Sequence, residues 1–295
     1  MKAISLMILI TLASCGSNSK KSESTDPAAS VKLSNQDFKK SKPVAYTPTQ
    51  DKYSVQGGSA LGSETLSQLD SKTMGQVATD KDPMSVMMAQ CYRGDFENAL
   101  KIADSIFNSF QKHPSYWNQL GSCHLLKGNE RKALLFYNKS LEVKANYAPA
   151  LNNIGVIYKR NGQDQKAHVA FDKASKSSRF SKTPRYNLAY LYLHNGIAEK
   201  AFSLFSSLLS ENPSEVEVLI GAANSCALTG RWEQALELFM RVPDQYRTRS
   251  DVGLNMSLVA YQMNKRDVAR QILSNTKVSD VDRGYFAQLS QVIGE

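Results

Sequence analysis

From residue 80 to the C-terminus, apolar side chains return every three to four positions, in stretches separated by short polar turns. That is the period of helices that each bury one face. The pattern itself repeats. Gly94, Gly128, Gly162, Gly196 and Gly230 stand 34 residues apart, and Asn264 takes the sixth place. Five residues beyond each comes Ala99, Ala133, Ala167, Ala201, Ala235 or Ala269, and four further on Ala103, Tyr137, Phe171, Phe205, Phe239 or Leu273. A Gly or Asn suits the left-handed residue that ends a helix. The small Ala lets the next helix pack close, and the large residue one turn later fills the space between units. Each pair of helices then leaves an apolar face that only its neighbour covers, so the units must stack. Residues 278–292 predict one more amphipathic helix, with Val281, Tyr285, Phe286, Leu289 and Val292 on one side, placed to cap the stack.

The chain ahead of the repeat is of another kind. Met1 and Lys2 give a short positive start, residues 3–12 are mostly apolar, and small residues follow at Ala13 and Ser14. The apolar run is about half of the ~20 residues a spanning helix needs, so residues 1–14 read as a secretory signal peptide. Residues 16–79 are rich in Ser, Lys, Thr, Gln and Gly without a sustained apolar period. Such a stretch buries too little surface to offset its ordering entropy and predicts a mobile tether, with Pro43 and Pro48 blocking helix and one short helix near residues 64–69. Leu12-Ala13-Ser14-Cys15 resembles the lipobox of bacterial lipoproteins. The resemblance implies that Cys15 is acylated and becomes the N-terminus of a membrane-anchored protein; Gly16, where Asp would resemble a retention signal, tilts the expectation toward an outer membrane facing the periplasm.

The repeat resembles the tetratricopeptide repeat, a 34-residue helix–turn–helix with a large residue, Leu-Gly, Tyr, Gly, Ala, Phe, Ala and Pro at fixed places. The second unit carries Trp117, Leu120, Gly121, His124, Gly128, Ala133, Tyr137 and Ser140; the third carries Leu151, Ile154, Gly155, Tyr158, Gly162, Ala167, Phe171 and Ala174; Pro213 closes the fourth. Pro83, Met87 and Gly253 depart from the pattern in the first and last units. The resemblance implies an all-α, right-handed α-solenoid of about six units with a C-terminal capping helix. The domain organisation expected is residues 1–14 as signal peptide, 15–79 as lipidated Cys and disordered linker, and 80–295 as the repeat domain with its cap.

The net charge of +9 is spread over 36 Lys and Arg interspersed with 27 Asp and Glu, which speaks to solubility more than to a nucleic-acid partner. No phosphate loop, nucleophile elbow or metal-ligand spacing is present, and the four histidines are scattered, so neither an enzyme, a cofactor, a metal nor a small-molecule substrate is expected. With Cys15 acylated, Cys91, Cys123 and Cys226 are an odd number inside apolar helical stretches and read as small buried core residues. The tetratricopeptide fold lines its concave surface with first helices. There the sixth place of successive units carries Gln119, Asn153, Asn187 and Asn255, with Gly221 the exception, and Asn118, Asn152, Lys159, Arg160, Tyr186, Tyr190 and Asn224 fall on the same side. A carboxamide offers donors and an acceptor, so it can bond a peptide backbone whatever its side chains.

The function expected is therefore a membrane-anchored scaffold that binds a peptide or partner protein in its groove and meets the membrane through its N-terminal acyl chains. Lipoproteins of this build resemble the pilotins of type IV pilus secretins, adaptors that gather cell-wall hydrolases, and outer-membrane assembly factors. The alternative is a cell-wall glycan-binding or hydrolase-associated module, with Trp117, Tyr186 and Tyr190 stacking on sugars.

Overall fold

The computed structural model describes residues 82–177 and 182–294. The expected signal peptide, Cys15 and the tether lie outside the described residues. By packing, the chain divides between Pro184 and Arg185 into two compact units.

The first unit holds three helical hairpins, α1 (Pro83–Tyr92) with α2 (Phe96–Phe110), α3 (Pro114–Leu126) with α4 (Glu130–Val143), and α5 (Ala148–Arg160) with α6 (Asp164–Ser177). Helix α7 (Lys182–His194) carries the boundary. The second unit continues with α8 (Ala198–Glu211), α9 (Val216–Leu228), α10 (Trp232–Arg241), a single turn α11 (Asp244–Arg247), α12 (Ser250–Gln262), α13 (Arg266–Ser274) and α14 (Arg283–Gly294).

Local chemistry sets these boundaries. Proline occupies the first turn of α1, α3 and α5, where its missing N–H leaves nothing unsatisfied. Asp82, Asp95 and Asn129 cap α1, α2 and α4 by accepting the backbone N–H of Ser85, Asn98 and Lys132 at 2.9, 3.2 and 3.1 Å. The first helix of every unit ends on the expected left-handed residue: φ is +83° at Gly128 and +58° at Asn264.

The recurring alanines are the closest points of packing; all six are fully buried. Tyr137, Phe171, Phe205 and Phe239 are likewise buried; the Tyr137 and Phe171 rings lie against Gly121 and Gly155 of their own hairpins, and the Phe205 ring against Gly221 of the next unit. The core of the first unit gathers Met84, Met87, Met88, Tyr116, Trp117 and Phe136 around α1 to α4. That of the second unit runs from Leu193 and Phe205 to Leu289 and Ile293.

Two expectations need correction. Cys91 of α1 and Cys123 of α3 are not isolated core thiols but form a disulfide, with Cα atoms 5.2 Å apart. Their separation of 32 residues nearly equals the repeat, so they fall at neighbouring places on the first helices of adjacent units, which pack together. Cys226 stays free and buried. The capping helix also begins later than predicted. A 3-10 turn at Asp280–Asp282 precedes α14, Val281 is 90% exposed, and the buried face is carried by Leu289 and Ile293 with Tyr285 and Phe286 packed beside them.

The disulfide closes the terminal hairpin onto the next. Cys91→Ala with Cys123→Ala, or reduction of the wild type, should destabilise the first unit by roughly 3–4 kcal/mol, the loop-closure value for about thirty residues. Denaturant unfolding with and without reductant measures this; a wild-type midpoint indifferent to reductant would contradict it.

Candidate functional site

In the first unit the sixth-place amides are inside the protein. Asn153 of α5 donates to Asn118 Oδ1 of α3 at 3.0 Å and to Ser122 Oγ at 3.4 Å, and Asn152 donates to Asn153 Oδ1 at 3.1 Å. All four side chains are buried. This corrects the expectation that Asn153 stands in a solvated groove away from packing: the sixth place of one unit meets the fifth and ninth places of the unit before it. For Gln119 the preceding unit has Met84 and Met88 at those places. Both of its amide atoms are buried without a partner, a cost of about 1–3 kcal/mol for an unmade buried bond. Lys159 is also enclosed, its Nζ donating to both carboxylate oxygens of Asp164 at 3.0 and 3.1 Å, whereas Arg160 is exposed at the end of α5.

Trp117 is a core residue rather than a sugar platform. Its indole stacks on Phe136 at 6.1 Å, meets Phe107 and Tyr116 edge-on, and donates its N–H to the Gln111 carbonyl at 2.7 Å. His124 stacks on the same Phe136 ring at 5.1 Å.

The second unit repeats the amide contact and adds charge. Asn255 of α12 donates to Asn224 Oδ1 of α9 at 3.0 Å, and Asn187 of α7 is buried too. Gly221 is the exception because a Cβ there would overlap the ring of Phe205. Tyr186 and Tyr190 lie one turn apart on α7 with ring centroids 5.8 Å apart, and the Tyr186 ring meets Phe205 edge-on at 6.1 Å. Beside them Arg249 grips Asp251 with two hydrogen bonds of 3.1 and 2.8 Å and Glu217 with one of 2.6 Å.

These side chains are partly exposed and shape one another. Burial, reinforced by Glu217 and Asp251, pushes both tyrosine hydroxyls above their ordinary range, so they stay protonated. Burial works against the Arg249 charge, but the bonds from Asp251 and Glu217 outweigh it and hold the guanidinium charged. Two carboxylates facing one guanidinium leave the cluster one negative charge in excess. Sequence inspection missed Glu217, Asp251 and Arg249, although a signal existed: both acids occupy the second place of their units. Among the described residues, no group of three or more His, Cys, Asp or Glu side chains is placed to hold a metal ion.

Two substitutions test this account. Gly221→Asn would complete the amide series by sequence, yet it should destabilise by about 1–3 kcal/mol through overpacking against Phe205; an unchanged unfolding midpoint would show that the ring moves aside. His124 supplies a pH test. Burial, with Lys132 and Lys127 nearby, lowers its pKa from 6.5 to about 4. Between those values the unfolded chain binds the proton and the folded chain does not. The stability that the neutral ring contributes is therefore whole above pH 6.5 and is lost as pH falls toward 4. His124→Tyr should flatten that slope, and denaturant midpoints at pH 7 and 5 read it; a variant as pH-sensitive as the wild type would count against it.

Comparison with known proteins agrees with this geometry. Tetratricopeptide-repeat family patterns match residues 114–147 and 192–254. No curated protein matches the chain. Among solved structures, the type IV pilus biogenesis factor PilW is similar at 17% identity and a TM-score of 0.56, covering 65% of this chain and 89% of that one. Pseudomonas aeruginosa pilF is similar at 16% identity and a TM-score of 0.61, covering 74% of this chain and 98% of that one. YrrB, described as a tetratricopeptide-repeat protein with an unusual peptide-binding site, is similar at 19% identity and a TM-score of 0.50, covering 61% and 89%. At such identities the likeness concerns the fold. Residues 114–147 and 192–254 are tetratricopeptide repeats, and the described helices share the fold of these solved structures.

Proposed function

We propose that the protein is a lipid-anchored scaffold of the bacterial cell envelope that holds a peptide or partner protein on the first-helix face of its second unit. The observation that carries this reading is the cluster of Tyr186, Tyr190, Glu217, Arg249 and Asp251. It combines two protonated hydroxyls, an aromatic surface and a net negative charge on a partly exposed face. Carboxylates accept from cationic or backbone donors and tyrosine rings supply area at low entropic cost, a combination that suits a segment carrying Lys, Arg or a free amine.

The anchor and the compartment rest on separate features. Leu12-Ala13-Ser14-Cys15 supplies the lipidation sequence. The disulfide between Cys91 and Cys123 supports an oxidising compartment, since such bonds are rare where thiols are kept reduced. Fold likeness to PilW and pilF makes pilus or secretin assembly at the outer membrane the first setting to examine.

The test is photo-crosslinking in cells, with a photoreactive phenylalanine in place of Tyr190 and, as control, in place of the exposed Glu237 on α10. Adducts at least fivefold stronger from position 190, reduced by Glu217→Ala with Asp251→Ala, are expected. Equal labelling at both positions would overturn the proposed face. For the anchor, Cys15→Ala should accumulate precursor or leave the membrane fraction, and normal fractionation would refute it.

A further inference from the structure

The described residues carry their charge unevenly. Between residues 82 and 177 thirteen Lys and Arg stand against eight Asp and Glu, whereas between residues 185 and 294 eleven stand against eleven. Part of the first unit's excess gathers on the outward faces of α4 and α6. Leu135 of α4 and Val169 of α6 stand 34 residues apart, at the same place of successive units, and are 60% and 52% exposed. Within a turn or two of Leu135 on its helix face come Arg131, Lys139 and Glu142. Around Val169 come Lys166, Asp172, Lys173 and Lys176. All of these are exposed except the half-buried Asp172. Glu142 pairs with Lys139 at 2.6 Å and Asp172 with Lys176 at 2.7 Å, which leaves the two faces three positive charges in excess. The same places of the second unit carry Ser203 on α8 and Glu237 on α10. There Lys200 and Arg241 stand against Glu199, Glu233 and Glu237, so the exposed Met240 of α10 lies on a face without positive excess.

We propose that the outward faces of α4 and α6 form a second membrane contact, a patch that rests on anionic phospholipid while Leu135 and Val169 dip among the headgroups. The chemistry of the faces selects this partner. A leaflet of phosphodiesters takes cations at any spacing and needs no pocket, which suits side chains spread over two helix faces. Exposed ion pairs are worth little, so Lys139 and Lys176 exchange their carboxylates for phosphate at small cost. The leucine and the valine add apolar area that an interface with a hydrocarbon interior rewards. A nucleic acid would take the charge and gain nothing from them.

The order of the chain favours the same partner. The proposal rests on the reading of Cys15 as a lipid anchor only for the nearness of a membrane. The chain leaving Cys15 enters the helices at α1, so the first unit is the part that such an anchor joins to the membrane by the shorter run of residues. Once one end is held, docking of a weak patch is intramolecular, at an effective concentration on the order of millimolar. Each Lys or Arg close to an anionic leaflet strengthens attachment about fivefold. Three charges in excess with two aliphatic side chains then suffice to hold the first unit at the surface.

Vesicle sedimentation tests the proposal with the full mature chain carrying Cys15→Ala, so that no acyl chain contributes and the outcome is independent of the anchor. The vesicles are phosphatidylcholine alone, or phosphatidylcholine and phosphatidylglycerol in equal parts, at about 0.1 M salt, where charges more than about 10 Å from the leaflet are screened. Binding to the anionic vesicles should be about tenfold stronger or more. Arg131→Glu with Lys173→Glu should lose about tenfold of it, and Leu135→Ser with Val169→Ser about threefold or more. Both variants should melt as the wild type does, since all four side chains are exposed. Lys265→Glu with Lys277→Glu, at exposed places of the second unit, makes the same change in net charge and should lose less than about twofold. Equal binding to the two kinds of vesicle overturns the proposal. So does an equal loss in the Lys265 and Lys277 variant, which would make net charge the cause. Wild-type binding by the Arg131 and Lys173 variant overturns it too, because the lysines ahead of α1 would then be the source, and full binding by the Leu135 and Val169 variant removes the apolar part.

Discussion

The approach of a ring to a helix that has no side chain in its way is the contact on which the rest of the stack depends. A Cβ at Gly121 would come within 2.6 Å of the Tyr137 ring, and one at Gly155 within 2.6 Å of the Phe171 ring. Each ring sits on the second helix of its hairpin, one turn past a fully buried Ala. Small residue and large residue are thus two halves of one contact: the alanine brings the helices together and the ring fills the space left open. Where the arrangement ends, its terms change. Gly253 of α12 makes room for the side chain of Thr276, on the segment leading to α14, so the departure in the last unit serves the cap.

Close packing of first helices obliges their polar groups to find partners inside. Ser140 donates to the Pro114 carbonyl and Ser257 to the Ala269 carbonyl, both at 2.8 Å, and Tyr116 donates to the Ala103 carbonyl at 3.1 Å. The Asn118, Asn152 and Asn153 set and the Asn224 and Asn255 pair follow the same rule. Such bonds contribute modestly each but are costly to leave unmade, so they fix the register between neighbouring units. Gln119, facing a first unit built of methionines and a disulfide, falls outside that rule.

Charge plays a different part in the two kinds of place. Exposed helix pairs such as Glu97 with Lys101 add little to stability. The partly buried Arg249 group, by contrast, joins α9 to the start of α12 and leaves two tyrosines beside a small excess of negative charge. The free Cys226 thiol is buried, and burial pushes it up to about 11, so it stays protonated at neutral pH.

The sequence by itself determined the units, their turns and their packing places, because a 34-residue period with Gly, Ala and an aromatic in register admits one local solution repeated. Left-handed glycines and buried alanines were legible for that reason. Which side of a first helix each amide occupies was not. Asn153 and Asn187 are single residues on a helix of 3.6 residues per turn, where one position moves a side chain by about 100° from a solvated face to an interface. The pairing of Cys91 with Cys123 and the meeting of Arg249 with Glu217 across 32 residues depend on how one unit stacks on the next. Only tertiary structure decides distances between residues a full repeat apart, because the period fixes where each unit begins but not the few ångströms by which neighbouring side chains meet.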